Sequence, residues 1–298
     1  MPLEEYIITV FCFVDDFLHD ELGGIIIRGR GEKPNLSDSE AITIELVGEY
    51  LGLGSDKRIW EYFKRHWNDW FPRLPCRTSF VRQCANIWYL KEMIQRKLVN
   101  LIHPVDDLHI FDGFPIPTCH IKRAFKRNPF RGIGAVGYCA AKDEKYFGFK
   151  GHLIISPRGL PISFTIAPAN VDERDVLPEL VQGLQGMIIA DKGLIRPALK
   201  EELKQYQLSL ETPLRSNMTD PRSSWFVSNI QSIRRIVETV IGQLVERFSI
   251  QSIRSKDLWH LCTKVGRKIL AHTMAFFVNI TQNPLEPLKF DELIALPK

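Results

Sequence analysis

The apolar residues of this chain keep a helical period up to about residue 100 and a strand-like one from residue 108, and that switch restricts the fold more than any other feature. Ahead of it, residues 3–18 repeat at helical spacing. "LSDSEAITIELVGEYLGLG" opens with Ser37 and Glu40 in a capping-box arrangement and stops on Gly52 and Gly54. "LPCRTSFVRQCANIWYLKEMIQRKL" predicts another helix from about Thr78 or Ser79. Phe80, Ala85, Ile87, Trp88 and Met93 face inward there, and Arg82, Lys91, Arg96 and Lys97 take the more exposed faces. Behind the switch come short apolar runs. "LHIF" and "GAVGYCAA" read as strands, and "KYFGFKGHLIISPRGLPISFTIAP" as a hairpin turning at Ser156-Pro157-Arg158-Gly159. A helix capped by Asp172 follows, then a strand at 187–190, a helix at 197–206 and a short strand at "LSLET". "PLRSNMTDPRSSWF" reads as a loop, and helices at 229–248 and about 257–281 close the chain. This order predicts an α/β fold, a mixed sheet flanked by helices behind an all-helical N-terminal domain, with residues 1–104 and 105–298 as the two domains.

Composition narrows the class of partner. No apolar run approaches the ~20 residues that span a bilayer, and "MPLEEYIITVF" opens with acids where a secretory signal would carry basic residues. The six cysteines form no CxxC pair, which predicts a reduced, cytoplasmic protein without structural zinc. The net charge of +4 conceals strong segregation: residues 1–56 hold 3 basic and 12 acidic side chains, whereas residues 57–97 hold 10 and 3. Residues 118–150 hold 8 basic against 2 acidic, and residues 231–268 hold 8 against 3. Three basic blocks in one chain point to a polyanion, with nucleic acid foremost. Arg77 and Arg82 lie in the first block. Lys122, Arg123, Lys126, Arg127 and Arg131 lie in the second, which follows Asp112 and is expected to flank it.

Two apolar runs end on an aspartate: "LHIFDG" on Asp112 and "MIIADKG" on Asp191, with Lys192 beside it. Turn chemistry accounts for either alone. A third acid makes them interesting. In "NIQSIRRIVETVIGQLVERF" the residues Ile230, Ile233, Val237, Ile241, Leu244 and Phe248 form one stripe, and Glu238 lies at its edge with Arg234, Arg235 and Gly242. An exposed glutamate pairing with the two arginines is the plain alternative. Gly242 in a helix interior costs about 1 kcal/mol relative to Ala, which suggests a close approach to the backbone there.

Asp112 after a first strand, "ADKGL" after a later one and "RRIVETVIGQL" on a following helix resemble the catalytic core of bacterial insertion-sequence transposases of the DDE class. The resemblance covers roughly residues 105–280 and extends to "VDERD", similar to a polar segment those proteins carry before their first core helix. It implies an RNase H-like fold in which the first and fourth strands are parallel neighbours, so that Asp112 and Asp191 end side by side while Glu238 enters from the helix. It further implies that these three hold two Mg²⁺ ions, with Mn²⁺ able to substitute, Asp112 bridging the pair. The activity implied is cleavage of double-stranded DNA at the element's own ends and transfer of the freed 3′-hydroxyl to target DNA, by a homodimer on the DNA, in the bacterial nucleoid. An RNase H-like nuclease without strand transfer and a silent DNA-binding regulator are the alternatives. Of the Tyr, Arg and Lys that some relatives place around the Glu, only the arginine has a counterpart, Arg234; Gln231 and Val245 stand at the other two positions. Lys192, Arg234 and Arg235 are expected to contact DNA beside the acids.

Overall fold

The structure, a computed structural model, describes residues 1–23, 32–102, 107–125, 128–139 and 142–294. They form two compact units: Met1–Ile102 with Glu246–Ile253 and Trp259–Lys298, and His103–Val245 with Arg254–Leu258. The C-terminal helix therefore groups with the N-terminal helices.

The first unit is helical: α1 (Leu3–Leu22), α2 (Asp38–Tyr50), α3 (Asp56–His66), α4 (Arg77–Asn86), α5 (Trp88–Ile102) and, from the chain's end, α10 (Leu258–Gln282). The capping box at α2 forms as expected. Ser37 Oγ accepts from the Glu40 N–H at 3.1 Å, and the Glu40 carboxylate accepts from the Ser37 N–H at 2.7 Å. The single helix expected over residues 78–97 is two, broken at Ile87. At that break Lys91 turns inward, where its ammonium donates to the Cys84 carbonyl at 2.9 Å and to Glu45 at 2.7 Å. Lys91 is thus buried, not exposed, because Glu45 waits for it inside. Trp88, expected in the core, is instead 37% exposed.

The second unit is a six-stranded sheet, β1 (Leu108–Cys119), β2 (Ala135–Cys139), β3 (Glu144–Ile155), β4 (Pro161–Pro168), β5 (Gly186–Ile189) and β6 (Leu208–Glu211). Its order is β2-β3-β1-β5-β6, with β4 also on β3. The hairpin turn closes where expected, Gly159 taking the left-handed φ of 91° that its position requires. The helices of this unit are α6 (Ile121–Ala124), α7 (Glu173–Leu180), α8 (Pro197–Lys204) and α9 (Ser224–Glu246). Phe111, Ile154, Leu177, Ile188, Leu199, Leu203 and Leu210 make one buried core between sheet and helices. Asp172 caps α7 as expected, its side chain accepting from the Arg174 N–H. The loop ahead of α9 is pinned by Arg222, which donates to Asp220 at 2.7 Å and to the Thr212 carbonyl at 2.9 Å. Ser223 Oγ accepts from the Phe226 N–H, so α9 starts five residues before the expected 229.

Two differences bear on the site. β1 does not end at Asp112 but continues to Cys119, because β3 stays paired with it through the whole segment. The parallel neighbour of β1 is β5, the fifth strand in chain order and not the fourth. No helix among the described residues is long and apolar enough to cross a membrane.

Candidate active site

Strand register brings the two aspartates together. Leu108 pairs with Met187 and Ile110 with Ile189 in the parallel β1–β5 ladder. Two residues further along each chain segment stand Asp112, still in β1, and Asp191, just past the end of β5, both 3.9 Å from Arg234 Nη1. Asp112 sits inside β1 opposite Leu153 of β3, and its Oδ1 accepts from the Gly113 N–H at 2.8 Å. Asp191 leaves β5 and opens a 3-10 turn over Lys192–Leu194. Glu238 comes from α9, whose buried residues Ile230, Val237, Val240 and Leu244 fix the helix rotation.

All three carboxylates face one guanidinium. Arg234 Nη2 donates to Glu238 Oε1 at 2.8 Å, one turn along the same helix. Arg234 Nη1 stands 3.9 Å from Asp112 Oδ2 and 3.9 Å from Asp191 Oδ1. The side chains differ in exposure: 23% for Asp112, 42% for Asp191 and 55% for Glu238. Burial pushes the Asp112 carboxyl up to about 7. The Gly113 N–H and Arg234 pull it down, while Glu173 and Asp191 add to the rise. Among the described residues no three acid, His or Cys side chains gather closely enough to share a metal ion, so the acids are arranged around the arginine.

The basic residues are distributed differently from expectation. The segment with Lys122 and Arg123 does not flank Asp112, because seven more residues of β1 intervene, about 24 Å of extended chain. Both residues are exposed, as is Arg131, while Lys126 and Arg127 lie outside the described residues. Lys192 and Arg235 are exposed on the turn and on α9 respectively, and Arg77 and Arg82 are exposed on α4 in the helical unit. A Cβ added at Gly242 would meet nothing within 4 Å, so no close approach explains the glycine. Two charged residues near the site went unassigned in the sequence. Lys150 of β3 pairs with Glu173 at 3.1 Å, and the Glu173 carboxylate lies over Gly113, where an alanine Cβ would come within 2.6 Å of Oε1. The signal was present in "VDERD", which places an acid directly after a helix cap; only the folded chain, with the Glu173 carboxylate over Gly113, shows that it stands beside Asp112.

A family model described as a transposase DDE domain matches residues 103–258. A search of curated protein sequences finds no match. Among solved structures, the chain is similar to the piggyBac transposase in a synaptic complex with hairpin DNA, at 12% identity and a TM-score of 0.52, over 96% of this chain and 76% of that one.

Proposed function

This chain belongs to the transposase DDE-domain family and is a DNA transposase, and on that premise we propose that Asp112, Asp191 and Glu238 are its catalytic carboxylates. The observation that carries the assignment is the meeting of all three at Arg234, two of them each two residues beyond the last partners of a parallel strand pair. Their chemistry fits divalent cations. The donors are hard carboxylate oxygens, the set that suits Mg²⁺ and Mn²⁺. Asp112 carries a charge that its surroundings destabilise and that a cation would relieve. When bound, a pair of such ions would act as Lewis acids at the scissile phosphate and lower the pKa of the attacking oxygen.

The chain's own groups have three tasks in this reading. Asp112, Asp191 and Glu238 would hold the cations through their carboxylate oxygens. Exposed Lys192 and Arg235 neutralise phosphates near the reacting bond, and Lys122, Arg123 and Arg131 hold the duplex further away. Arg77 and Arg82 make the helical unit the DNA-end-binding part, through phosphate contacts that position but do not specify. Hydrolysis joins a water oxygen to phosphorus and releases the 3′-oxygen as a hydroxyl. In strand transfer that hydroxyl attacks a target phosphodiester and another 3′-oxygen leaves. The hairpin DNA in the similar solved complex supports DNA as the partner, and a homodimer that brings two element ends together is part of this proposal.

Incubating the protein with duplexes carrying its element's ends, plasmid target and Mg²⁺ tests the proposal at nucleotide resolution. Nicks at the element boundary followed by joined products are expected. Nicks without joining would reduce the activity to hydrolysis, and intact DNA would overturn the assignment.

A further inference from the structure

The three carboxylates and Arg234 balance poorly. One positive charge serves three negative ones, yet the guanidinium occupies the place from which all three can be reached. We propose that Arg234 is the resident counter-ion of the metal-free site, and that its side chain must swing away before divalent cations bind. The inference rests on the catalytic assignment above and adds a gating step to it.

Four observations support the gate. First, the contacts are forked: Nη2 holds Glu238 at 2.8 Å by a hydrogen bond, while Nη1 lies 3.9 Å from an oxygen of each aspartate. A guanidinium has donors enough for such a role and stays charged at any working pH. Second, no three acidic side chains among the described residues stand close enough to share a metal ion, as expected where a planar cation several ångströms wide keeps them apart. Third, the strongest of its contacts is the weakest kind to keep. The Arg234–Glu238 pair is an i, i+4 pair with Glu238 55% exposed, so water screens it and competes for it. A divalent ion carries twice the charge and exchanges that pair for direct coordination. Fourth, release needs no backbone motion. Arg234 is on the same helix as Glu238, is itself 23% exposed, and has a long flexible stem, so rotation about its side-chain bonds suffices.

The gate links two loads. While docked, Arg234 offsets the charge of the three acids in the absence of metal and is withdrawn from phosphate. Once displaced, it becomes a free guanidinium one helical turn from the reacting groups, suited to a bidentate phosphate contact. Metal binding and DNA binding should therefore reinforce one another through this side chain.

The consequence is measurable without turnover. A site competent for metal only when Arg234 is undocked has its apparent affinity reduced by the undocked fraction. Full-length Arg234→Gln protein should bind Mn²⁺ on the order of tenfold more tightly than the unsubstituted protein, in calorimetry without DNA. It should melt lower than the unsubstituted protein in EDTA and reach the same Tm in saturating Mn²⁺. Arg234→Lys, which retains one charge without the fork, should fall between the two and serves if the glutamine variant does not fold. If the unsubstituted protein binds Mn²⁺ and neither variant binds it more tightly, the gate is refuted and the catalytic assignment stands. If none of the three binds Mn²⁺, the metal assignment of the carboxylates falls and the gate with it.

Discussion

Each unit of this protein gathers three carboxylates, and the two groups are provided for in opposite ways. In the helical unit, Glu45, Glu49 and Asp56 are served by four cations. Arg267 reaches Glu45 and Glu49 at 2.5 Å and Asp56 at 2.8 Å. Lys91 adds a bond to Glu45 at 2.7 Å, Lys268 one to Glu49 at 2.6 Å, and Lys264 one to Asp56 at 3.0 Å. Burial alone would raise the Glu45 and Asp56 carboxyls, but these cations hold both below the usual carboxylate range. In the sheet unit, Asp112, Asp191 and Glu238 share Arg234, and burial leaves the Asp112 carboxyl at about 7. Fully matched buried charge fixes how helices pack. Under-matched charge is held by the fold against its own preference, which is what the proposed cation site calls for.

The sharpest way to break the comparison is to remove one cation from the matched group. Arg267→Met should cost about 3–5 kcal/mol of stability in urea unfolding, since it strands buried carboxylates. Arg234→Gln should cost far less, because its partners are partly solvated. Equal losses would mean that the two groups are not different in kind.

Acid sharpens the comparison next. His272 in the helical unit is held down to about 3, and His152 in the sheet unit to about 4, both by burial. A histidine with a depressed folded pKa leaves the unfolded chain binding more protons, so stability falls as pH drops from about 6.5 towards those values. Glu45 and Asp56 have depressed pKa values as well; their contribution is present above the ordinary carboxylate pKa and is lost as pH falls below it. Asp112 runs the other way. Its raised pKa favours the folded state below about 4 and penalises it as pH rises through 7, so its protonation on acidification offsets the loss at His152. Hydrogen exchange between pH 7 and 4 should therefore show the helical unit losing protection earlier and more steeply. A steeper loss in the sheet unit would contradict the assignment of charges.

The smallest effect concerns the neighbour of Asp112. In Gly113→Ala the new methyl would meet the Glu173 carboxylate, a flexible end that can move aside. The loss should stay near 1 kcal/mol or less, because the Lys150 pair given up is partly solvated. Much greater destabilisation would show that the backbone there cannot accept a side chain at all.

Much of this was legible beforehand because it is local. The Ser37 capping box, the Ser156–Gly159 turn and the Asp172 cap are set by neighbours a few residues apart. The order of the two aspartates and the glutamate along the elements was legible for the same reason. What stayed hidden depends on partners far along the chain. β1 runs past Asp112 to Cys119 because β3 pairs with it, which carries Lys122 and Arg123 away from the acids. Lys91 is buried because Glu45 lies 46 positions earlier. Lys268 and Arg267, counted as surface charge in a basic block, are spent inside the helical unit for the same reason. The close approach inferred from Gly242 has no counterpart, since propensity marks an oddity without naming its cause.

The most direct test of the central claim pairs cleavage with stability in Asp112→Asn. Unsubstituted and variant proteins are given labelled element-end duplex with Mg²⁺, and their melting is compared without metal. The account predicts cleavage lower by a factor on the order of 10³ or more, unchanged duplex binding, and a Tm equal to or above that of the unsubstituted protein, because an unfavourable buried charge is gone. Cleavage retained within a few-fold in a folded, DNA-binding variant would contradict it.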